Sequence, residues 1–497
     1  MPDELTRLVN GVLWPGFLGS EMPAWLGTAL DEGLAGVVYF AQNLGGDTPA
    51  LSADIHRRAP RALIGIDEEG GSVTRLETHT GSTVPGAAQL GVVDDVEATW
   101  ATGFEIGRRV DAIGADVVIG PVADVNTDPG NPVIGVRAFG AGTDLVARHT
   151  AAAVRGIQRA GVAACAKHYP GHGDTHTDSH HDLPALTLSQ REIDAQHIPP
   201  FTAAIHAGVL FIMTAHITAP HWGEAPATLN PEVLARLRRD GFDGVIVTDA
   251  LDMAAIRERV GIGEGAVRAL AAGADLLCIG NPTNPGPAML PDQDERDFLL
   301  VRDAILAAIR SGRLPRERVS DAVRRVATTA DAVRRRPAVP KTPFDADGIA
   351  DRAVRVQGDL PPFADRPTTV IDLRRSSSLA IDSAAAHVAV ALAAGGEVVR
   401  LDDASATRPD AAAVAERAAA EQSIVLVDRL DADSPQREVL DLIRSAAPRV
   451  VIVNVGLPVD AEGTVISSPA ASPLAARAAR RALLNRGPAT RRERVGE

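Results

Sequence analysis

Aromatic side chains are scarce in this sequence: they make up 3% of 497 residues, with only two Tyr and four Trp. Any ligand platform built from rings must use very few of them. Cysteine is scarcer still. Cys165 and Cys278 lie inside apolar runs that read as separate buried strands, which points to small core residues in a reducing compartment and not to a disulfide. Positive charge is in deficit. Fifty Lys plus Arg against 64 Asp plus Glu leave a net charge of -14, which repels phosphate backbones and anionic headgroups. Nucleic acid and membrane surfaces are therefore poor partners. No run of about 18 apolar residues occurs, and the opening MPDELTRLVN lacks a basic start followed by an apolar core, so a cytoplasmic location is expected. What is present is an ordinary globular balance, 45% hydrophobic and 23% charged, in a chain too long for one average domain.

Short apolar runs alternate with longer amphipathic segments up to about residue 335. Eight such runs occur, at residues 11–19, 35–40, 61–67, 115–125, 161–169, 208–216, 243–250 and 274–281. Their number and spacing predict an α/β domain of the TIM type, a (β/α)8 barrel over residues 1–335. Nearly every run ends in Asp, His, Lys or Asn, on the rim where such barrels build their sites. An open doubly wound sheet would give the same alternation. Residues 336–346, RPAVPKTPFDA, hold three prolines and read as a linker. Beyond it, strand-like segments at 370–373, 397–401, 423–428 and 449–456 alternate with Ala-rich helices, a smaller parallel α/β domain over 347–497. No dense polar cluster is visible there, so its expected role is structural or interfacial.

The densest chemistry lies in KHYPGHGDTHTDSHHDLP, from Lys167 to Pro184, where five of the 13 histidines fall within 14 residues. His168, His172, His176 and His180 recur every fourth residue, which on a helix would make a metal-binding face. Pro170, Gly171 and Gly173 break such a helix and leave a loop. On that loop Asp178-Ser179-His180 reads as an acid/base unit, since an imidazole exchanges protons near neutral pH and a nearby carboxylate can hold its other nitrogen. DGVIVTDALDM is an apolar strand ending in Asp249, placed to act as a nucleophile or to cap the following helix. Asp252 reads as a capping or surface residue. In GIDEEGGSVTRL, Asp67 ends a strand and Arg75 follows a Gly70-Gly71 turn; the two suit recognition of neighbouring hydroxyls, or form a surface ion pair. GPVADVNTDPGNPVIGVRAFG is a long loop with Arg137 near its far end, and loops of this length are usually functional.

In this order the segments DEEGG with Arg75, NPVIGVRAFG, KHYPGHGDTHTDSH, MTAH (213–216) and the Asp249 strand resemble glycoside hydrolase family 3, and within it the β-N-acetylglucosaminidase branch. The resemblance covers roughly residues 10–335. It implies a retaining hydrolase in which Asp249 attacks the anomeric carbon, His180 is the acid/base and Asp178 orients it. It further implies that Asp67, Arg75, Arg137, Lys167 and His168 hold the sugar, that no metal or cofactor is needed, and that the substrate is a small carbohydrate, a muropeptide or chitin fragment carrying terminal N-acetylglucosamine. Glu68, Ser72 and Ala250 depart from the short single-domain members and point to a longer, two-domain subgroup with an αβα sandwich-like second domain. A neutral imidazole does not repel phosphate as a carboxylate would, so a β-glycoside phosphorylase, or a broader β-glucosidase, is the alternative on the same site. A rival of another class is a zinc-dependent hydrolase using the His168–His181 cluster. GIGEGA (261–266) follows a helical run and lacks the strand that a nucleotide-binding fingerprint requires.

Overall fold

The computed structural model describes residues 3–176, 183–334, 343–375, 385–401, 408–431 and 434–484. The chain forms two compact units, the first made of Met1–Glu69, Val96–Ile134 and Gly140–Pro343, the second of Gly70–Asp95, Gly135–Phe139 and Phe344–Glu497. This differs from the single break expected at 336–346, because two segments from the first half of the sequence join the second unit. Most of the expected linker lies outside the described residues.

Each of the eight apolar runs contains one strand of the first unit: β1 (Leu13–Pro15), β2 (Gly36–Tyr39), β3 (Leu63–Ile66), β4 (Val117–Val118), β5 (Ala163–Tyr169), β6 (Phe211–Thr214), β7 (Val245–Val247) and β8 (Leu277–Gly280). All are buried along their whole length, as parallel strands covered on both faces must be. β2 to β7 pair in sequence order as a six-stranded parallel sheet, and β1 pairs with β8. A single parallel bridge, Val247 to Leu276, links β7 to the start of β8, and the Ala35 main-chain nitrogen, just before β2, donates to the Asn10 carbonyl at 3.0 Å.

The helices between the strands begin with ordinary capping chemistry. Asp47 caps the helix Thr48–Arg58 at the Ala50 nitrogen (3.1 Å), and Asn230 caps Pro231–Arg239 with a proline in the first position. Val96–Ala112 and Thr143–Arg159 pack especially closely. A Cβ at Gly156 would stand 2.2 Å from the Trp100 carbonyl oxygen, and one at Gly103 would stand 2.8 Å from that of Ala153. Only glycine lets the two backbones approach this far.

The helix Arg316–Arg334 lies across the beginnings of the strands. Arg325 donates to the Asp243 carbonyl (3.1 Å), Arg334 to that of Ala62 (2.8 Å), and Arg318 to the Asp275 carboxylate (2.8 Å), three residues that just precede β7, β3 and β8. Its apolar face, Val326, Ala330 and Val333, joins one cluster with Trp14, Leu63, Val117, Cys165, Phe211 and Cys278 from the strands. The amino-terminal side of the strands is thus filled with packed side chains and charge-assisted bonds. The polar residues that end the runs collect at the other side, where ligands of parallel sheets are bound.

In the second unit, β9 (Arg355–Gln357), β10 (Thr369–Asp372), β11 (Val398–Arg400), β12 (Ser423–Val427), β13 (Val451–Asn454) and β14 (Thr464–Ser467) form one sheet in the order β11-β10-β12-β13-β14-β9. β9 runs antiparallel at the edge, so the sheet is not wholly parallel as expected. Alternate residues feed two cores: Ile424, Leu426, Val451 and Val453 on one face, Val425, Val427 and Ile452 on the other, each covered by helices. The segment 70–95 belongs here for visible reasons. Ser72 Oγ accepts from the Ala471 nitrogen at 2.8 Å, Arg352 pairs with Asp95 at 2.8 Å, and Arg355 donates to the Val92 carbonyl at 2.7 Å. Ser72, one of the departures from the short members, is therefore a docking residue for the C-terminal segment.

The second unit does contain a dense polar cluster, contrary to the sequence reading. Asp372 at the end of β10 binds the fully buried Arg374 at 2.7 Å and Arg400 of β11 at 2.9 Å, and Asp428 beside β12 accepts from the Arg375 nitrogen at 3.1 Å. These residues are far apart in sequence and meet only because parallel strands end together.

The close helix pair makes a direct stability prediction. Gly156→Ala drives a methyl into the Trp100 carbonyl and should destabilise the protein by roughly 1–3 kcal/mol. The urea midpoint would fall accordingly; an unchanged midpoint would show that the helices are free to move apart.

Candidate active site

The site is built from the carboxyl ends of β3, β4, β5 and β7. Asp67 directly follows β3, and Lys167 and His168 lie near the end of β5, just before its last residue. The Lys167 ammonium is 2% exposed and sits 2.6 Å from Asp67 Oδ1 and 2.7 Å from Glu69 Oε1. An ammonium buried to this degree is retained only between such partners. Glu69 was not singled out in the sequence, where it is one of three adjacent acids.

Beyond β4 the chain runs on beside β5, with the Ala123 nitrogen donating to the Lys167 carbonyl at 2.5 Å and the Lys167 nitrogen to that of Pro121 at 3.1 Å. This pairing brings Asp124, which is completely buried, against His168. Asp124 Oδ2 stands 2.8 Å from His168 Nδ1, and Oδ1 accepts from the main-chain nitrogens of His168 (3.2 Å) and His172 (2.7 Å). Burial would raise the Asp124 carboxyl, but the His168 ring and these bonds outweigh it and hold the group below its ordinary range. One carboxylate thus orients the His168 ring and ties down the turn that leaves β5. Asp124 was missed because, within an apolar run, it looks like any strand-ending acid.

The long loop after β4 secures the same turn. Asn131 Nδ2 donates to the His172 carbonyl (2.8 Å), and the Asp128 nitrogen to that of Gly173 (3.2 Å). A Cβ at Gly173 would lie 1.8 Å from the Val125 oxygen, so only glycine fits. The three described histidines of the cluster have separate partners: His168 has Asp124, His172 has Thr175 Oγ1 at 2.9 Å, and the exposed His176 lies 2.8 Å from Asp128. Among the described residues, no group of three His, Cys, Asp or Glu side chains converges to hold a metal ion. Asp178, His180 and His181 lie outside the described residues.

Asp249 follows β7 and is partly exposed, with Oδ1 accepting from its own neighbour, the Ala250 nitrogen, at 2.8 Å. The segment after it is held from two sides. Leu251 and Asp252 donate main-chain bonds to β8, at Cys278 and Ile279, and His216 Nε2 binds the Ala250 carbonyl at 2.9 Å. That carbonyl can only accept, so Nε2 carries the proton. His216, from the MTAH motif, is a strut under the Asp249 turn. Asp252 is not a surface residue as expected. It is 5% exposed and accepts from Asn284 at 2.7 Å, which ties the turn after β7 to the loop after β8.

Asp67, Lys167 and Asp249 stand at the carboxyl ends of three parallel strands of one sheet, and burial first of all pushes the thiol of Cys165, on β5, well above its ordinary range. Cys278, also free and buried, is raised in the same way, with Asp249, Asp252 and Asp67 adding to the effect. Arg75 and Arg137 belong to the second compact unit; Arg137 is 8% exposed there, in the short helical turn Gly135–Arg137. No helix among the described residues is long and apolar enough to cross a membrane.

His172 gives the site a pH signature. Its ring is 1% exposed, and burial, followed by the His168 ring, lowers its pKa from 6.5 to about 4. An unfolded chain binds this proton near pH 6.5, so the ring's contribution to stability is complete above that pH and is lost as pH falls toward 4. His172→Gln should therefore flatten the fall of the urea midpoint between these two values. An identical slope in the variant would contradict the assignment.

A family model described as the Glycosyl hydrolase family 3 N terminal domain matches residues 30–329. Beta-hexosaminidase from Stenotrophomonas maltophilia (strain R551-3) is 34% identical over 288 residues, covering 54% of this chain and 82% of that protein. Beta-hexosaminidase A from Pseudoalteromonas piscicida is 31% identical over 322 residues, covering 59% of this chain, and the match spans about half, 52%, of that longer relative. Among solved structures, a glycoside hydrolase family 3 beta-N-acetylglucosaminidase from Paenibacillus sp. str. FPU-7 superposes with a TM-score of 0.85 at 31% identity, over 98% of both chains. The strand-end constellation and these matches lead to one conclusion: the chain belongs to glycoside hydrolase family 3.

Proposed function

We propose that this protein is a retaining, exo-acting β-N-acetylglucosaminidase that removes terminal β-linked N-acetylglucosamine from cell-wall or chitin fragments. The observation that carries the reading is that the carboxyl ends of β3, β5 and β7, strands of one parallel sheet, bear Asp67, the Lys167 that pairs with it beside the Asp124-anchored His168, and Asp249. The likeness over 98% of the chain to a beta-N-acetylglucosaminidase supports the substrate class. The eight parallel strands, the β1–β8 pair and the Val247–Leu276 bridge support a closed (β/α)8 barrel as the scaffold.

In this mechanism an Asp249 oxygen attacks the anomeric carbon while the bond to the leaving oxygen breaks. His180 gives its proton to that oxygen, so the aglycone departs as an alcohol and the sugar stays esterified to Asp249. Water then enters, His180 takes a proton from it, and the new bond to the anomeric carbon releases Asp249 as a carboxylate. Asp178 holds the His180 ring and favours its charged form between the steps. Asp67, Lys167 and His168 fix the ring hydroxyls before reaction, so that less ordering remains for the transition state. The packed interior beneath them keeps the Asp249 carboxylate in one position.

Turnover of aryl β-N-acetylglucosaminides and aryl β-glucosides, each with and without phosphate, tests the reading. The N-acetylglucosaminide should be preferred, and the product should be the free sugar in both buffers; formation of a sugar 1-phosphate would make the protein a phosphorylase. Asp249→Ala should lower kcat by about 10⁴-fold or more on every substrate. His180→Ala should spare the first step for a very good leaving group and slow it by roughly 10²–10⁴-fold for a poor one. Equal loss on both would remove His180 from the acid role.

A further inference from the structure

Beyond β6, which ends at Thr214, the next residues stay bound to their neighbours. The Ala215 nitrogen donates to the Tyr169 carbonyl of β5 at 2.8 Å, the Thr218 nitrogen to that of Pro184 at 2.9 Å, and the Ala227 nitrogen to that of Ile217 at 2.7 Å. His216 therefore sits on a backbone held before and after it, and its ring is fully buried. Both ring nitrogens are engaged. Nε2 donates to the Ala250 carbonyl at 2.9 Å, and Nδ1 stands 2.9 Å from Thr228 Oγ1. Turning the ring over would replace both nitrogens by carbons, so these two contacts set its orientation. Thr228, in the short helical turn Ala227–Leu229, is itself fully buried, and its hydroxyl also meets Thr214 Oγ1 and the Ala215 carbonyl, each at 2.9 Å. A chain of contacts thus runs from the end of β6, through Thr228 and the His216 ring, to the residue after Asp249.

Ala250 touches the Asp249 carboxylate directly, because its nitrogen donates to Asp249 Oδ1 at 2.8 Å. Its carbonyl takes His216 Nε2 and, at 3.2 Å, the Met253 nitrogen. The Met253 bond only closes the turn on itself. The His216 bond ties the same residue to the frame of β6, and one Cα atom separates the carbonyl that His216 holds from the N–H that holds the carboxylate. Attack on an anomeric carbon needs the reacting oxygen aimed in line, and an error of about 1 Å can cost about 10²-fold in rate. A carboxylate whose hydrogen-bond donor is fixed from a neighbouring strand loses less freedom when the sugar arrives.

We infer that His216, oriented by Thr228 and Thr214, is a positioning residue for the nucleophile: it fixes Ala250 so that the Ala250 N–H aims the Asp249 carboxylate at the anomeric carbon. The inference rests on Asp249 being the nucleophile of the proposed reaction. The test measures kcat and KM per folded chain on aryl β-N-acetylglucosaminides with a good and a poor leaving group. His216→Leu, which keeps bulk and removes the donor, should lower kcat about 10²-fold on both substrates and leave KM within about threefold. Equal loss on the two separates a misaimed nucleophile from a lost acid, which harms the poor leaving group most. His216→Gln, whose amide can donate to the Ala250 carbonyl, should bring kcat back to within about fivefold of the unaltered protein. Thr228→Val, close in shape, frees the ring and should cost about tenfold, which keeps the test valid if His216→Leu folds poorly. Values of kcat within about twofold of the unaltered protein in the Leu and Val variants would overturn the inference. So would a Gln variant no faster than the Leu variant, the result that packing alone would give. If Asp249→Ala still turns over, the nucleophile assignment falls and the role of His216 falls with it; an inactive Asp249→Ala beside a fully active His216→Leu overturns the positioning role alone.

Discussion

The candidate site depends above all on the completely buried Asp124 carboxylate. One oxygen takes the His168 ring and the other takes two main-chain nitrogens four residues apart, so a single side chain fixes both a ring and the turn that leaves β5. Such a carboxylate is stable in the interior only while those donors are present, and the donors are positioned only while it is charged. Lys167, one residue earlier, stands between Asp67 and Glu69 under the same logic. The end of β5 is therefore a polar platform set on an apolar interior.

The same division of labour runs through the whole first unit. At the beginnings of the strands, the Arg316–Arg334 helix and its arginines bind main-chain carbonyls and buried carboxylates, which is a stabilising arrangement. At the strand ends, the polar groups are held by their neighbours. His216 and Asp252 brace the turn after β7 from two sides, which holds the segment that follows Asp249. Preorganisation of this kind is what the proposed reaction at an anomeric centre requires, since little geometry is left to be found after the substrate arrives.

Much of this was legible in the sequence, because parallel strands announce themselves as apolar runs with a polar last residue. All eight runs hold a strand, and Asp67, Lys167, His168 and Asp249 stand at strand ends as their spacing suggested. In the second unit the strands β9 and β14 escaped: β9 is a partly exposed edge strand that carries little periodicity, and β14, TVIS, has only two apolar residues. The roles of Asp124, Glu69 and Asp252, and the Asp372–Arg374–Arg400 cluster, depend on which strands end side by side, and no linear pattern encodes that. The assignment of residues 70–95 and 135–139, with Arg75 and Arg137, to the second unit was hidden for the same reason: single bonds such as Ser72 to Ala471 join positions about four hundred residues apart.

The central claim is that the Asp249 carboxylate becomes covalently joined to the sugar. Incubation with a 5-fluoro N-acetylglucosaminyl fluoride, which forms such an ester quickly and releases it slowly, followed by mass spectrometry of the intact chain and its peptides, tests that claim most directly. The account predicts one added sugar on the peptide holding Asp249, lost again when a good acceptor is supplied. An adduct on another carboxylate, or turnover with no adduct at any time, would contradict it.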